Sequence, residues 1–147
     1  MKKNIILIVI LLVVILIIGI ICLLKYKEYE ITQINLKKFN LTYEEFNKEE
    51  LNGLDITTVI NQATSNNEKY EIPKDDNGIY ILDDKHSIEI YITMLIDGET
   101  YKMEEIVQAD MNSFIRLFGE VEFKCTNLTY HESTGRVATM TFTATEY

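Results

Sequence analysis

Twenty consecutive residues, Ile5 to Leu24, carry no charge: IILIVILLVVILIIGIICLL. As a helix the run is about 30 Å long, the thickness of a bilayer's hydrocarbon core. Residues 1–24 therefore read as a membrane helix, and the rest of the chain as a tethered domain. A cleaved signal peptide fits less well. Its apolar region is about 7–15 residues long and ends in small residues at the cleavage site. Here the small residues are Gly19 and Cys22, and Ile20 and Ile21 stand where a peptidase wants small side chains. Ile21 also spoils an acylation signal at Cys22, so Cys22 reads as a small apolar residue of the helix.

Lys2 and Lys3 precede the run and Lys25 and Lys27 follow it, so the basic flanks nearly balance. A short tail ahead of a leading apolar run is the pattern of a signal anchor with a cytoplasmic N-terminus. The C-terminal domain is then expected outside the cytoplasm.

From Glu28 onward 23 acidic residues face 10 basic ones, a net charge of −13. A domain this acidic repels phosphate backbones, which argues against nucleic acid as a partner. Beyond the membrane run the only cysteine is Cys125, so no disulfide forms within the domain. Alternation with Val121 and Phe123 puts Cys125 on the buried side of a strand. The wealth of Ile, Lys and Asn, with one Pro and no Trp, points to an AT-rich bacterial genome.

Residues 25–40 are polar with scattered Ile, Tyr and Phe, and read as a stalk or linker. Residues 41–147 read as an α+β domain with a mostly antiparallel sheet and helices packed on one face, in the order α-α-β-β-β-α-β-β. Leu41-Thr42-x-x-Glu45-Phe46 has the form of a capping box with a hydrophobic staple and predicts a helix over 43–51. Asp55 is expected to cap a second helix carrying Ile56, Val59, Ile60 and Ala63, ending at Ser65-Asn66-Asn67. Ile79 to Leu82 reads as a short strand. Ile88, Ile90, Ile92, Met94 and Ile96 alternate as the clearest strand in the chain. Asp97-Gly98 signals a hairpin into Tyr101–Met103. Val107, Met111, Phe114, Ile115 and Phe118 return to helical spacing, with Gly119 as a left-handed stop. Strands over 120–130 and 136–146 end the chain.

No catalytic, cofactor or metal motif emerges. Asp75, Asn77, Gly78 and Asp84 imitate a calcium loop, but Pro73 stands at its first ligand position. The six residues between Cys125 and His131 span about 20 Å on a strand, too far for a thiol–imidazole pair. His86 is the other histidine, and the carboxylates Glu99, Glu104, Glu105 and Asp110 read as a solvated helix surface. The candidate site is a sheet face: Tyr91 and Leu95 lie opposite the Ile88–Ile96 stripe, and Leu128 and Tyr130 are expected to share their face. Such a surface suits another protein.

These features point to a membrane-tethered, non-catalytic binding or assembly module of the bacterial cell envelope. It needs no cofactor, it is held in the membrane by residues 5–24, and its partner is another envelope protein. An apolar N-terminal helix, a helical continuation and an antiparallel sheet also resemble the architecture of pilin-like subunits of envelope filaments and secretion systems. The resemblance implies a filament subunit. The chain departs from that pattern in having Lys2-Lys3-Asn4 in place of a Gly-Phe or Gly-Met processing site, and no Glu five residues into the run. A small envelope enzyme built around His86, Cys125 or Glu104 and Glu105 is the third alternative.

Overall fold

The computed structural model describes residues 2–96 and 98–146. The elements are α1 (Lys2–Glu44), β1 (Leu51–Asn52), α2 (Gly53–Lys69), β2 (Glu89–Thr93), β3 (Thr100–Lys102), α3 (Met103–Ala109), α4 (Met111–Phe118), β4 (Glu122–Tyr130) and β5 (Val137–Glu146). They form two compact units, Met1–Lys38 and Phe39–Tyr147. The first unit is a helix long and apolar enough to cross a membrane. Its apolar side chains from Ile10 onward are exposed, as a lipid-facing surface requires; those of residues 5–7 and 9 lie outside the described side chains.

The second unit is an α+β domain. Its sheet runs β1-β4-β5-β2-β3, and every pairing is antiparallel except β2 with β5. The alternation in β2 buries Ile90 and Ile92 completely, with Ile88 before and Met94 after them. Across the sheet, Ile90 pairs with Met140 and Ile92 with Phe142, so their side chains share one face. Ile56, Val59, Ile60 and Ala63 of α2, Ile106 of α3 and Phe114 of α4 join them in the core. The helices thus cover one face. The β4 edge is shielded by the chain after α1, where Lys48 O accepts from Cys125 N at 3.0 Å and Leu51 pairs with Phe123.

Several local expectations give way to packing. No helix starts at Thr42. Instead α1 continues to Glu44, because Tyr43 and Phe46 are buried in the domain core with Phe39 packed against it. The cap of α2 is Asn52, which accepts from the N–H groups of Leu54 and Asp55 while Asp55 accepts from Asn52 N. That helix passes through Asn66 and Asn67, both buried. Residues 79–82 form no strand; one bridge, Lys74 to Tyr80, stands there. Ile96 is 73% exposed, not core. Asp97 of the expected hairpin lies outside the described residues; Gly98 takes φ 69°, as such a turn requires.

The single helix expected before Gly119 is two. Asp110 takes φ 96° and caps α4 through Asn112 N and Ser113 N. The break re-aims the apolar stripe, so Ile106 and Phe114 are buried while Val107 and Leu117 are exposed. Gly119 is right-handed at φ −56°. Its smallness serves contact, since a Cβ there would lie 2.5 Å from Ile115 O.

The 83–87 loop is organised by one carboxylate. Asp83 Oδ1 accepts from the N–H groups of Lys85, His86 and Ser87 at 2.7–3.1 Å. Burial would raise its pKa, but these bonds outweigh burial and hold the carboxyl well below the usual range. A depressed folded-state pKa contributes stability that is present above the unfolded value of about 3.9 and lost as pH falls below it. The urea midpoint of the wild type is therefore expected to drop between pH 6 and pH 3 by more than that of Asp83→Asn. Equal drops would contradict this role.

Candidate functional site

The expected site residues do not form one face. Tyr91 pairs with Thr141, which pairs with Asn127, so these three side chains share the uncovered face. Leu128 pairs with Met140 and lies against the core from the opposite face. Tyr130 follows it, pairing with Val137, and its hydroxyl donates to Glu44 at 2.7 Å. Burial first, and then Glu44, push this phenol's pKa up to about 12. The cause of the separation is a register shift between Cys125 and Asn127. One extra residue on β4 reverses the facing of everything after it. Leu95 lies beyond β2, in the turn that also carries Ile96.

That turn borders an apolar groove of about 350 Å³, walled by Met94, Ile96 and Tyr101 on one side and by Ile106, Phe114, Leu117 and Phe118 of α3 and α4 on the other. Ile96 at 73% and Leu117 at 64% are exposed side chains at this groove, not residues closing a core. Leu54 and Val107 are also exposed, and Leu54 and Leu117 line an adjoining depression. Large apolar residues gathered around a concavity are the surface pattern of a docking site.

Glu105 and Asp110 stand at the groove. Glu105 accepts from Lys102 N at 2.7 Å. Hydrogen bonds from Ser113 and Asn112 outweigh desolvation and lower the pKa of Asp110, which fixes a negative charge at the start of α4. The groove therefore suits an apolar segment flanked by basic residues. Sequence reading missed it because its walls come from three elements, and the α3–α4 break that exposes Leu117 leaves no periodic signal.

The uncovered sheet face is different in kind. Thr139, Thr141 and Thr143 alternate with the buried Met140, Phe142 and Ala144 along β5. Cross-strand rows follow from the register: Thr100–Thr93–Thr143–Lys124, Lys102–Tyr91–Thr141–Asn127 and Glu89–Thr139–Thr129. At one end Lys102 Nζ lies 2.9 Å from Glu89, which is only 4% exposed. Hydrogen bonding to Glu89 raises the Lys102 pKa, and burial followed by Glu89 raises that of Tyr91. At neutral pH the lysine is charged and the phenol protonated. The face is thus hydroxylic, with one aromatic ring, and not the Tyr/Leu surface expected.

The groups weighed for chemistry have other partners. Cys125 Sγ donates to Asn127 O at 3.4 Å, and burial raises its pKa. His131 Nε2 lies 2.7 Å from Ser87 O, so it carries the proton, because a carbonyl only accepts. His86 stacks on Tyr70 at 4.2 Å. Glu104 accepts from Tyr80 N at 3.1 Å. Among the described residues no group of three or more His, Cys, Asp or Glu side chains is placed to hold a metal ion. Comparison with protein-family models, curated proteins and solved structures finds no match.

Proposed function

We propose that this chain is a membrane-tethered, non-catalytic binding module of the bacterial cell envelope, with its N-terminus in the cytoplasm and its acidic domain outside. Its partner is another envelope protein, which seats an apolar segment with flanking Lys or Arg residues in the groove between the 94–101 hairpin and α3–α4. The observation that carries this reading is the exposure of Ile96 and Leu117 at a concave apolar site with Glu105 and Asp110 beside it. A desolvated apolar anchor in such a groove supplies the affinity, and the acids favour a basic partner over an acidic one.

Leu117→Asp tests it. The substitution puts a charge in the groove at an exposed position, so stability is expected to change by no more than about 0.5 kcal/mol. Recovery of the partner with the full chain from detergent-solubilised membranes of the native cell is expected to fall about tenfold or more, the effect of losing a buried anchor. Unchanged recovery would sink the groove as the site.

The pilin-like subunit is a second reading. An apolar N-terminal helix followed by a domain with a mostly antiparallel sheet supports it. The mass of the membrane-fraction protein separates the two. Loss of only the first few residues supports processing as a filament subunit, and an intact N-terminus supports a permanent anchor.

A further inference from the structure

From the strained junction between α3 and α4, we infer that Asp110 is a conformational catch. It holds residues 103–118 as two helices with the groove open, and an apolar residue in its place lets the segment close into one helix that turns Val107 and Leu117 inward. The use of the catch rests on the groove reading; its geometry does not.

Helical spacing sets up the choice. Ile106 and Phe114 are both buried, and Asp110 stands midway between them in the sequence, about one turn from each. At about 100° per residue, one continuous helix would gather these two with Met103, Val107, Met111 and Leu117 in an arc of about 140°. Asp110 falls near the middle of that arc. An ionised carboxylate there would face the core with no partner, an arrangement that desolvation strongly disfavours.

The structure avoids this by breaking the helix. Asp110 is exposed, and its carboxylate accepts from Asn112 N at 3.1 Å, Ser113 N at 3.2 Å and Ser113 Oγ at 2.9 Å. The break is costly in two ways. Asp110 takes φ 96° and ψ 108°, a region that favours glycine, and Val107 and Leu117 are left exposed. If a break alone were needed, glycine would supply it without strain. Aspartate adds a carboxylate that caps α4 and is rejected by the apolar stripe. The stripe thus favours one helix, and the single charge within it favours two. Such opposed preferences in one segment define a two-state element.

The groove gives the catch its use. A basic residue of the bound segment, paired with Asp110, stabilises the broken form that also presents Leu117. Binding and opening then reinforce each other.

The test uses the full chain in detergent. Leu117→Cys reports the facing of position 117 through its rate of reaction with a water-soluble maleimide, read peptide by peptide by mass spectrometry. Half-buried Cys125 is the internal reference. Labelling at 117 is expected to be fast with Asp110 present. Adding either Asp110→Leu or Asp110→Ala should slow it about tenfold or more, because reaction then waits on the minor open form, while Cys125 is unchanged. Asp110→Asn, still polar and still able to cap, should leave it fast. Undiminished labelling at 117 with both Asp110→Leu and Asp110→Ala overturns the inference. So does faster labelling at 117 and Cys125 together in both, since the segment then has no second packing. Slow labelling in both, with partner recovery unaffected by Leu117→Asp, keeps the catch and discards the groove as the binding site.

Discussion

Phe142→Ala is expected to destabilise the domain by about 3–5 kcal/mol, the usual cost of deleting a buried aromatic ring and leaving its cavity. Phe142 is fully buried at the centre of the sheet, paired with Ile92 on one side and Cys125 on the other. Its neighbours belong to a sheet hydrogen-bonded on both sides, so the space cannot collapse without breaking pairing. Domains of this size have about 5–15 kcal/mol in total, so the loss is a large part of the whole. A fall of about 10–20 °C in melting temperature is expected. The control is one residue away: Thr141 points to the uncovered face, and Thr141→Ala is expected within about 0.5 kcal/mol of wild type. Equal effects of the two changes, measured by thermal melting of the full chain in detergent, would mean that the facing of β5 is wrong.

Asn67→Ala ranks second, at about 2–5 kcal/mol. Asn67 is fully buried on α2 and works as a substitute strand: its Nδ2 donates to Ile88 O and its Oδ1 accepts from Ile88 N, both at 2.8 Å. Removing the amide leaves two backbone groups buried without partners, each costing about 1–3 kcal/mol. Asn67→Leu restores volume but neither bond, so it is expected to be about as damaging as Ala. Denaturant midpoints of both variants check this. If leucine recovers most of the loss, volume rather than hydrogen bonding is what Asn67 supplies.

Asn67 also marks where local signals mislead. Asn66-Asn67 has the composition of a helix stop, and in isolation it would end α2 there. Pairing with Ile88, and of Asn66 with His86 O at 2.7 Å, keeps both residues helical. Thr42 fails as a cap for a related reason, since burial of Tyr43 and Phe46 favours continuing α1. What alternation or helical spacing alone specifies was legible: the fully buried Ile88, Ile90 and Ile92, the buried side of α2, and two long final strands. What depends on one irregular residue was not. The register shift after Cys125 moved Leu128 and Tyr130 to the core side, and the φ of 96° at Asp110 split one helix into two. The threonine spacing at 139, 141, 143 and 145 was visible throughout, and it marks the uncovered face better than the tyrosines do.

A photoreactive phenylalanine analogue placed at Leu117 of the full chain, irradiated in intact cells, is the most direct test of the account. A second chain carrying the analogue at Thr58, exposed on α2, is the control. The account predicts one discrete adduct from position 117, mapping to an apolar segment with flanking Lys or Arg residues in an envelope protein, and none from position 58. No adduct at 117, or the same adducts from both positions, would contradict it.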